Sequence, residues 1–356
     1  MKQFKDIKII VTNKQVFCGI DIHLNRWNLC FFSDGQVIEK LSISGNSQNL
    51  IAHAKRFYHT AQSMNFVYEA GFSGFYLSRE LEKAGYKCTI TPPNRVPSVL
   101  DKVKTDKRDA LKLAQYLANG LLKSVYVPLL SVEAERQVLR MRNNYQKKLT
   151  RIKNQIKSLL NLHGKSCPDN NGRNWARSYI RWLEELKFEN DQLRFSLDQY
   201  LDDFHFFRNK IALFTKQIRN LSRSLAYKDN YNRLTACKGV GLITAMTFLL
   251  EISDINRFPS AEKFCSYLGL TPSQYSSGQH VRLGHITREG NSRLRHVLVE
   301  CAWTVIRHDP FLREKYNRIR SRGTNGKKAI VAVARSLAIR LRRCLLDQMS
   351  YEIGVC

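Results

Sequence analysis

Val16-Phe17-Cys18-Gly19-Ile20-Asp21 is an apolar run that closes on a carboxylate. A second run, Phe66-Val67-Tyr68, closes in the same way on Glu69. A third stretch, Lys104-Thr105-Asp106-Lys107-Arg108-Asp109-Ala110, carries two acids at the start of a helical pattern. Short apolar runs bounded by polar residues read as buried strands, so Asp21 and Glu69 sit at strand ends. Asp106 and Asp109 are one helical turn apart and share a face. Four such carboxylates form an oxygen donor set suited to Mg²⁺. Paired hard cations in a cage of this kind clamp the attacking and leaving oxygens of a phosphodiester. The expectation is therefore metal-dependent cutting or joining of nucleic acid. Acids are also favoured at helix N-termini for dipole reasons, which accounts for Asp106 and Asp109 taken alone. The case rests on all four together. Asp34 lies in a turn and Asp101 precedes the helix, so both stand outside the set. His23 reads as a structural or surface histidine in preference to a general base.

Outward from these acids the pattern is β-β-β-α-β-α-β-α. After the run into Asp21 come Trp27 to Phe32, the turn Ser33-Asp34-Gly35-Gln36, and Val37–Ile43. A helix is expected from about Ser47 to Ala61 and another from about Phe75 to Ala84, stopped by Gly85. A short strand, Lys87 to Thr91, ends at Pro92-Pro93, and a last helix runs from Lys104 or Thr105 to Ala118. This order fits a ribonuclease-H-like α/β fold, with ligands at the carboxyl ends of the strands. Residues 1–15 read as a polar extension.

Composition narrows the partner. Fifty-eight Lys and Arg against thirty Asp and Glu leave a net charge of +28. An excess of this size calls for a polyanion, bound with strong salt dependence through counterion release. No apolar run approaches the roughly 20 residues needed to span a bilayer, and the first residues lack a signal-peptide core. Nine cysteines without a Cys-x-x-Cys pair argue against a disulfide framework and a structural zinc site. A reducing prokaryotic cytoplasm, beside the nucleoid, is the expected compartment.

From Val132 the period changes. Val138, Met141, Tyr145, Leu149, Ile152, Ile156 and Leu159 step by three and four, and no acid occurs between Arg136 and Lys165. Leu193, Leu197, Tyr200, Phe204, Phe207, Ile211, Phe214, Ile218 and Leu221 repeat the pattern after the polar stretch Lys165 to Arg173. Two such seams predict an antiparallel coiled-coil arm, which could also pair with a second copy. Beyond Tyr231, Lys238-Gly239-Val240-Gly241 stands between two helical segments like a helix-hairpin-helix, where backbone N–H groups approach phosphate. A tight packing turn is the plainer alternative. Polar, Gly-punctuated loops follow from Leu268 to Gly278 and from Arg282 to Asn291. Helices are then expected from Ser292 to His308 and from Ala329 to Met349. Arg282, Arg288, Arg293 and Arg295 are candidate phosphate contacts. A serine in such loops is by residue type a turn or cap.

Together these segments resemble the DEDD-type transposases of insertion sequences, the bridge-RNA-guided recombinases that include pilin-gene invertases. Gly19-Ile20-Asp21, Tyr68-Glu69-Ala70 and Lys104–Ala110 match the four-acid domain. Lys238–Gly241, Gly269-Leu270-Thr271-Pro272, Ser276-Ser277-Gly278 and Ile286-Thr287-Arg288-Glu289-Gly290-Asn291 match the second domain. Each piece is weak alone; their order from about Val16 to about Arg343 is specific. The resemblance implies a RuvC/RNase-H-like domain over 16–125, a coiled-coil arm over 132–224, and a mainly α-helical transposase domain over 231–350. It also implies Mg²⁺ on Asp21, Glu69, Asp106 and Asp109, and Ser277 as the nucleophile that forms a phosphoserine with DNA, Ser276 being its neighbour. The implied partners are element-end and target DNA, a guide RNA, and further copies of the chain as a dimer or tetramer. The acids and the serine are far apart in sequence, so the fold or a partner copy must unite them. Two other functions fit the composition: a metal-only junction nuclease, and a non-enzymatic nucleic-acid scaffold.

Overall fold

The structure, a computed structural model, describes residues 11–96, 106–167, 175–277 and 280–354; of Arg95, Asp106, Lys107, 275–277 and 280–283 it describes the backbone. The chain divides into two units, Met1–Val127 and Pro128–Cys356.

The first unit is a five-stranded sheet with helices on both faces. Its elements are β1 (Gln15–Ile22), β2 (Arg26–Ser33), β3 (Gln36–Ser44), α1 (Ser47–Phe57), β4 (Ser63–Glu69), α2 (Tyr76–Lys83), β5 (Lys87–Thr91) and α3 (Asp106–Ala118). The order across the sheet is β3-β2-β1-β4-β5, with β1–β3 an antiparallel meander and β1, β4 and β5 parallel. Side chains alternate between faces along a strand. Val16, Cys18 and Ile20 of β1 point one way, with Phe66 and Tyr68 of β4, into a core closed by Leu50 and Ala54 of α1 and Leu77 and Leu81 of α2. The alternate set faces α3, whose Ala110, Leu113 and Ala114 are buried against the sheet. Gly85 and Gly120 close α2 and α3 in the left-handed region, at φ 88° and 66°. The expected order of elements is therefore the observed one, a mixed α/β unit, though α1 stops at Phe57, four residues earlier than the pattern suggests.

The second unit is helical apart from one hairpin. It comprises α4 (Leu130–Leu162), α5 (Arg177–Glu185), α6 (Asp191–Ser222), α7 (Lys228–Thr235), α8 (Leu242–Ile252) and α9 (Ala261–Leu268). There follow β6 (Pro272–Ser277), β7 (His280–Ile286), α10 (Ser292–Val305), α11 (Pro310–Arg320) and α12 (Gly326–Leu346). The two 33- and 32-residue helices α4 and α6 pack along each other. Leu149, Ile152, Ile156 and Leu160 meet Leu197, Leu201 and Phe204, and α5 covers that end with Ile180 and Leu183. At the other end Leu139 and Ile218 enter a second core built around α8. Every residue of α8 from Ala245 to Ile252 is buried, so this helix is enclosed by its neighbours.

Four stretches differ from the sequence-based expectation. The loops expected across Leu268–Asn291 contain an antiparallel hairpin, β6 paired with β7, in which Tyr275 lies opposite Arg282 and Ser277 opposite His280. Two runs of six and seven residues flank Gly278-Gln279, a hairpin signal masked by the hydroxyl-rich composition around it. Helices α5, α9 and α11 are also additions to the expected elements. The last announces itself by Asp309, which accepts a hydrogen bond from Leu312 N at 3.0 Å, followed by Pro310 at the first helical position.

Candidate active site

Asp21, Glu69 and Asp109 line one cleft of about 290 Å³, together with Ile20, Ile22, His23, Ala70, Gly71, Phe72, Ser73 and Leu113. Register accounts for the first two. Ile20 pairs with Tyr68 across the parallel β1–β4 ladder, so Asp21 and Glu69 follow one step on, side by side at neighbouring carboxyl ends. Gly19 accounts for the third. A Cβ placed on Gly19 would lie 2.0 Å from Ala110 O and 2.7 Å from Ala114 N. Only a bare Cα lets α3 lie this close to β1, which holds Asp109 over the residue two steps after Gly19 on the same face. The motif Gly19-Ile20-Asp21 thus combines the contact that seats the helix with the acid that the helix faces.

His23 is half-exposed, and its Nε2 lies 3.0 Å from Asp21 Oδ2. The pairing lets the histidine orient this carboxylate. The side chain of Asp106 lies outside the described residues; its backbone opens α3 one turn before Asp109. The donor chemistry, carboxylate oxygens alone, suits a hard divalent cation. Among the described residues no three His, Cys, Asp or Glu side chains already converge as metal ligands.

Sequence reasoning missed the rim of this cleft. Phe72, a cleft residue, is 70% exposed, and the adjoining hollow of about 320 Å³ carries Leu24 and Tyr76, also exposed. Exposed rings beside carboxylates give a flat face on which an unpaired base can stack. The signal lay in Gly71-Phe72-Ser73-Gly74, an aromatic residue set in a glycine-rich turn directly after Glu69.

In the second unit the described residues around the hairpin form a clamped base. Gly269 ends α9 at φ 66°, where a Cβ would meet Glu289 O at 2.1 Å; Gly290, at φ 93°, would meet Tyr267 O at 2.1 Å. The two glycines interlock the segments that enter and leave the hairpin. Asn291 caps α10 through Arg293 N and Leu294 N, both at 3.1 Å, and its Nδ2 donates to Glu251 Oε2 at 3.0 Å. Glu251, buried in α8, also receives Nε and Nη2 of Arg140 at 3.0 and 2.9 Å. Burial raises the Glu251 pKa, but the Arg140 hydrogen bonds and charge, with Asn291 and Arg136, outweigh it and hold the carboxyl below its ordinary value. Arg136 donates to the carbonyls of Leu250 and Glu251, at 2.5 and 3.2 Å, where α8 ends. A lone acid in the apolar run Ala245–Ile252 was the sequence signal for this network.

The remaining candidates divide. Arg288 and Arg293 are exposed, the former at φ 56°. Arg295 is half-buried and donates Nη1 to Leu268 O at 2.9 Å, so part of its guanidinium is engaged in the hairpin base. Lys238 and Gly241 are exposed where α8 begins. Gly239, at φ 112°, lies against Val305 and Thr304 of α10, and its carbonyl accepts from Cys301 Sγ at 3.1 Å, as a packing turn would. The side chains of Ser276, Ser277 and Arg282, and Gly278, lie outside the described residues.

With this geometry in place, comparison with known proteins is informative. Residues 18–164 match the DEDD-type IS110 transposase family, and residues 231–317 match the transposase IS116/IS110/IS902 family. A protein of Sinorhizobium fredii, y4qE, a candidate transposase by its name, is 31% identical over 301 residues, covering 83% of this chain and 73% of its own. The chain belongs to the IS110 family of transposases. The transposase is also 26% identical over 337 residues to the transposase for insertion sequence element IS1533 of Leptospira borgpetersenii, across 93% of this chain and 95% of that one. It is 24% identical over 340 residues, 91% and 93% of the two chains, to the pilin gene-inverting protein of Moraxella lacunata. Family membership makes the transposase a DNA-cleaving and rejoining enzyme and implies the use of a divalent metal. The carboxylates around the cleft fall inside the DEDD match, and the hairpin falls inside the second match. Among the described residues no helix of the transposase is long and apolar enough to cross a membrane.

Proposed function

We propose that this transposase cuts and rejoins DNA at the cleft of Asp21, Glu69 and Asp109, with Mg²⁺ as its ion, Asp106 as fourth ligand and Ser277 as nucleophile. The supporting observation is that one cleft gathers acids from β1, β4 and α3, separated by up to 88 positions in sequence. When bound, Mg²⁺ would polarise the phosphoryl oxygens and favour the ionised serine hydroxyl. The chain's own groups do the rest. The carboxylates hold the cation, and His23 keeps Asp21 turned toward the cleft. The serine oxygen forms a bond to phosphorus, a sugar oxygen leaves and takes up a proton, and the phosphoserine conserves the bond energy so that strands rejoin without ATP. The serine reaches the acids either within one chain or from a second copy.

The wider reading follows the family resemblance. A guide RNA pairs with donor and target DNA, and the protein grips backbone and duplex shape. Lys238, Gly239 and Gly241, in a helix-hairpin-helix-like turn, and Arg282, Arg288, Arg293 and Arg295 are the proposed phosphate contacts. Segments 16–125, 132–224 and 231–350 act as catalytic domain, coiled-coil arm and transposase domain, and the chain works as a dimer or tetramer beside the nucleoid. Inversion, the activity named for the Moraxella relative, is one outcome open to the same chemistry.

Covalent trapping tests this. The protein is incubated with Mg²⁺, its element-end DNA and the RNA transcribed beside its gene, and adducts are resolved on denaturing gels. The expected result is a protein–DNA adduct in the wild type that is absent in Ser277→Ala and in Asp21→Asn. An adduct that survives in Ser277→Ala and is lost in Ser276→Ala moves the nucleophile one residue. Cleaved DNA without any adduct replaces the proposal by metal-only hydrolysis.

A further inference from the structure

We propose that Thr91 is a positioning residue for Glu69. In the metal-loaded cleft its hydroxyl donates to a carboxylate oxygen of Glu69 and fixes how that acid presents itself to the cation. The inference rests on the metal-bound cleft proposed above and adds to it a residue that is not itself a ligand.

Thr91 closes β5 as Glu69 closes β4, and Asp21 stands one residue from the end of β1. The parallel ladder sets Glu69 opposite Thr91. Ala70 N donates to Thr91 O at 2.8 Å, so the pairing holds through the ends of both strands. Tyr68 and Ile90 enter the core beneath α1 and α2. By alternation Glu69 and Thr91 belong to the other face, which carries Asp21 and is covered by α3. Asp21, Glu69 and Thr91 therefore form a row across three adjacent parallel strands, at the carboxyl ends where open α/β sheets take their ligands.

The members of this row differ in their surroundings. Glu69 is exposed. Thr91 is 0% exposed, and among the described residues its Oγ1 has no hydrogen-bond partner. A buried hydroxyl without a partner is destabilising. Valine has the same shape, carries no polar atom to bury and suits a strand equally well. Packing alone would therefore select valine at this position. The hydroxyl is accounted for if the loaded site supplies its partner.

Glu69 is the acid within reach. Neighbouring strands lie about 4.8 Å apart, a gap that a threonine hydroxyl and a side chain as long as glutamate can bridge on one face. A carboxylate has lone pairs enough to bind a cation and accept a hydrogen bond together, and a hydrogen bond to an ionised acceptor is of the strong kind. Glutamate also has one more rotor to order than aspartate, so a fixed donor beside it lowers the entropy cost of binding the ion. His23 serves Asp21 in the same manner, at 3.0 Å.

The test compares Thr91→Val and Thr91→Ser with wild type in the full-length protein, by urea midpoints without metal and across a Mg²⁺ titration. Without metal, Thr91→Val has the higher midpoint, because it removes the unpaired hydroxyl and keeps the shape. With Mg²⁺ it gains less than wild type. Loss of an outer partner weakens metal binding about 10- to 100-fold, and a tenfold loss is about 1.4 kcal/mol less stabilisation at saturating metal. Thr91→Ser keeps the hydroxyl and loses a methyl, so its midpoint falls without metal while its response to Mg²⁺ stays that of wild type. A purely structural threonine would shift the metal-free midpoints and leave the Mg²⁺ response alone. A Thr91→Val protein that is less stable than wild type without metal, or that responds to Mg²⁺ as wild type does, overturns the proposal. Asp21→Asn separates this failure from failure of the metal reading. If Mg²⁺ stabilises wild type and not Asp21→Asn, the cleft holds the ion and the Thr91 variants alone decide. If Mg²⁺ stabilises both alike, or neither, the metal reading fails and the role of Thr91 falls with it.

Discussion

Replacing Gly19 by alanine should disable the cleft without touching a carboxylate. The new methyl would lie 2.0 Å from Ala110 O, 2.7 Å from Ala114 N and 3.0 Å from Ala110 C. All three atoms are backbone of α3, so no side-chain rotation relieves the overlap. Carbon contacts settle near 3.5 Å, so the helix must retreat from β1 by about 1.5 Å. Forced overpacking of this kind costs about 1–3 kcal/mol. Asp109 rides on the displaced helix, and a misplacement of about 1 Å in a catalytic group can cost roughly 100-fold in rate. The assay is DNA cleavage below the unfolding transition, paired with urea denaturation. Leu81→Ala, a fully buried site of the same unit outside the cleft lining, serves as the stability control. Its expected loss of about 2–5 kcal/mol is at least as large, yet its cleavage rate at saturating metal should stay near wild type while it remains folded. A Gly19→Ala protein that cleaves at the wild-type rate would refute the claim that this contact sets the position of Asp109.

Arg140→Met removes the bidentate partner of buried Glu251. Because Arg140 is itself 35% exposed, the loss should be about 2–4 kcal/mol, somewhat below that for a fully enclosed pair. A shift in the urea midpoint worth less than about 0.5 kcal/mol would show that the pair is solvated. The depressed carboxyl of Glu251 sets a pH dependence. Its contribution is complete above the ordinary glutamate pKa of about 4.3 and is lost as pH falls through the lower folded-state value. Wild type should therefore lose stability more steeply in acid than Glu251→Gln. Parallel acid titrations of the two by circular dichroism would contradict this.

Much of the first unit is legible in the amino-acid sequence, because its signals are local. Apolar runs closed by acids mark strands, Gly85 and Gly120 mark helix ends, and strand alternation sorts residues between two faces. The hairpin β6–β7 is not legible in the same way. Its strands are hydroxyl-rich and carry little apolar alternation, and what holds their base is contact with the end of α9 through Gly269 and Gly290. Helix α5 is hidden for a similar reason. It is too short to stand alone and exists by covering Leu149–Leu160 of α4 and Leu197–Phe204 of α6.

The sequence by itself determined the identities of the acids, the order of elements around them, the long helical seams and the excess of positive charge. These follow from residue type and spacing, which act over a few positions. Tertiary structure decided which of those groups meet. Parallel pairing of β1 with β4 sets Asp21 beside Glu69, and the missing side chain of Gly19 lets α3 bring in Asp109. It also decided that Arg136 and Arg140 are engaged against α8 while Lys147 and Arg151 remain in water. Along the chain these cations look alike. They differ because only the first two lie where α4 enters a hydrophobic core, and there a charge is stable only with a partner.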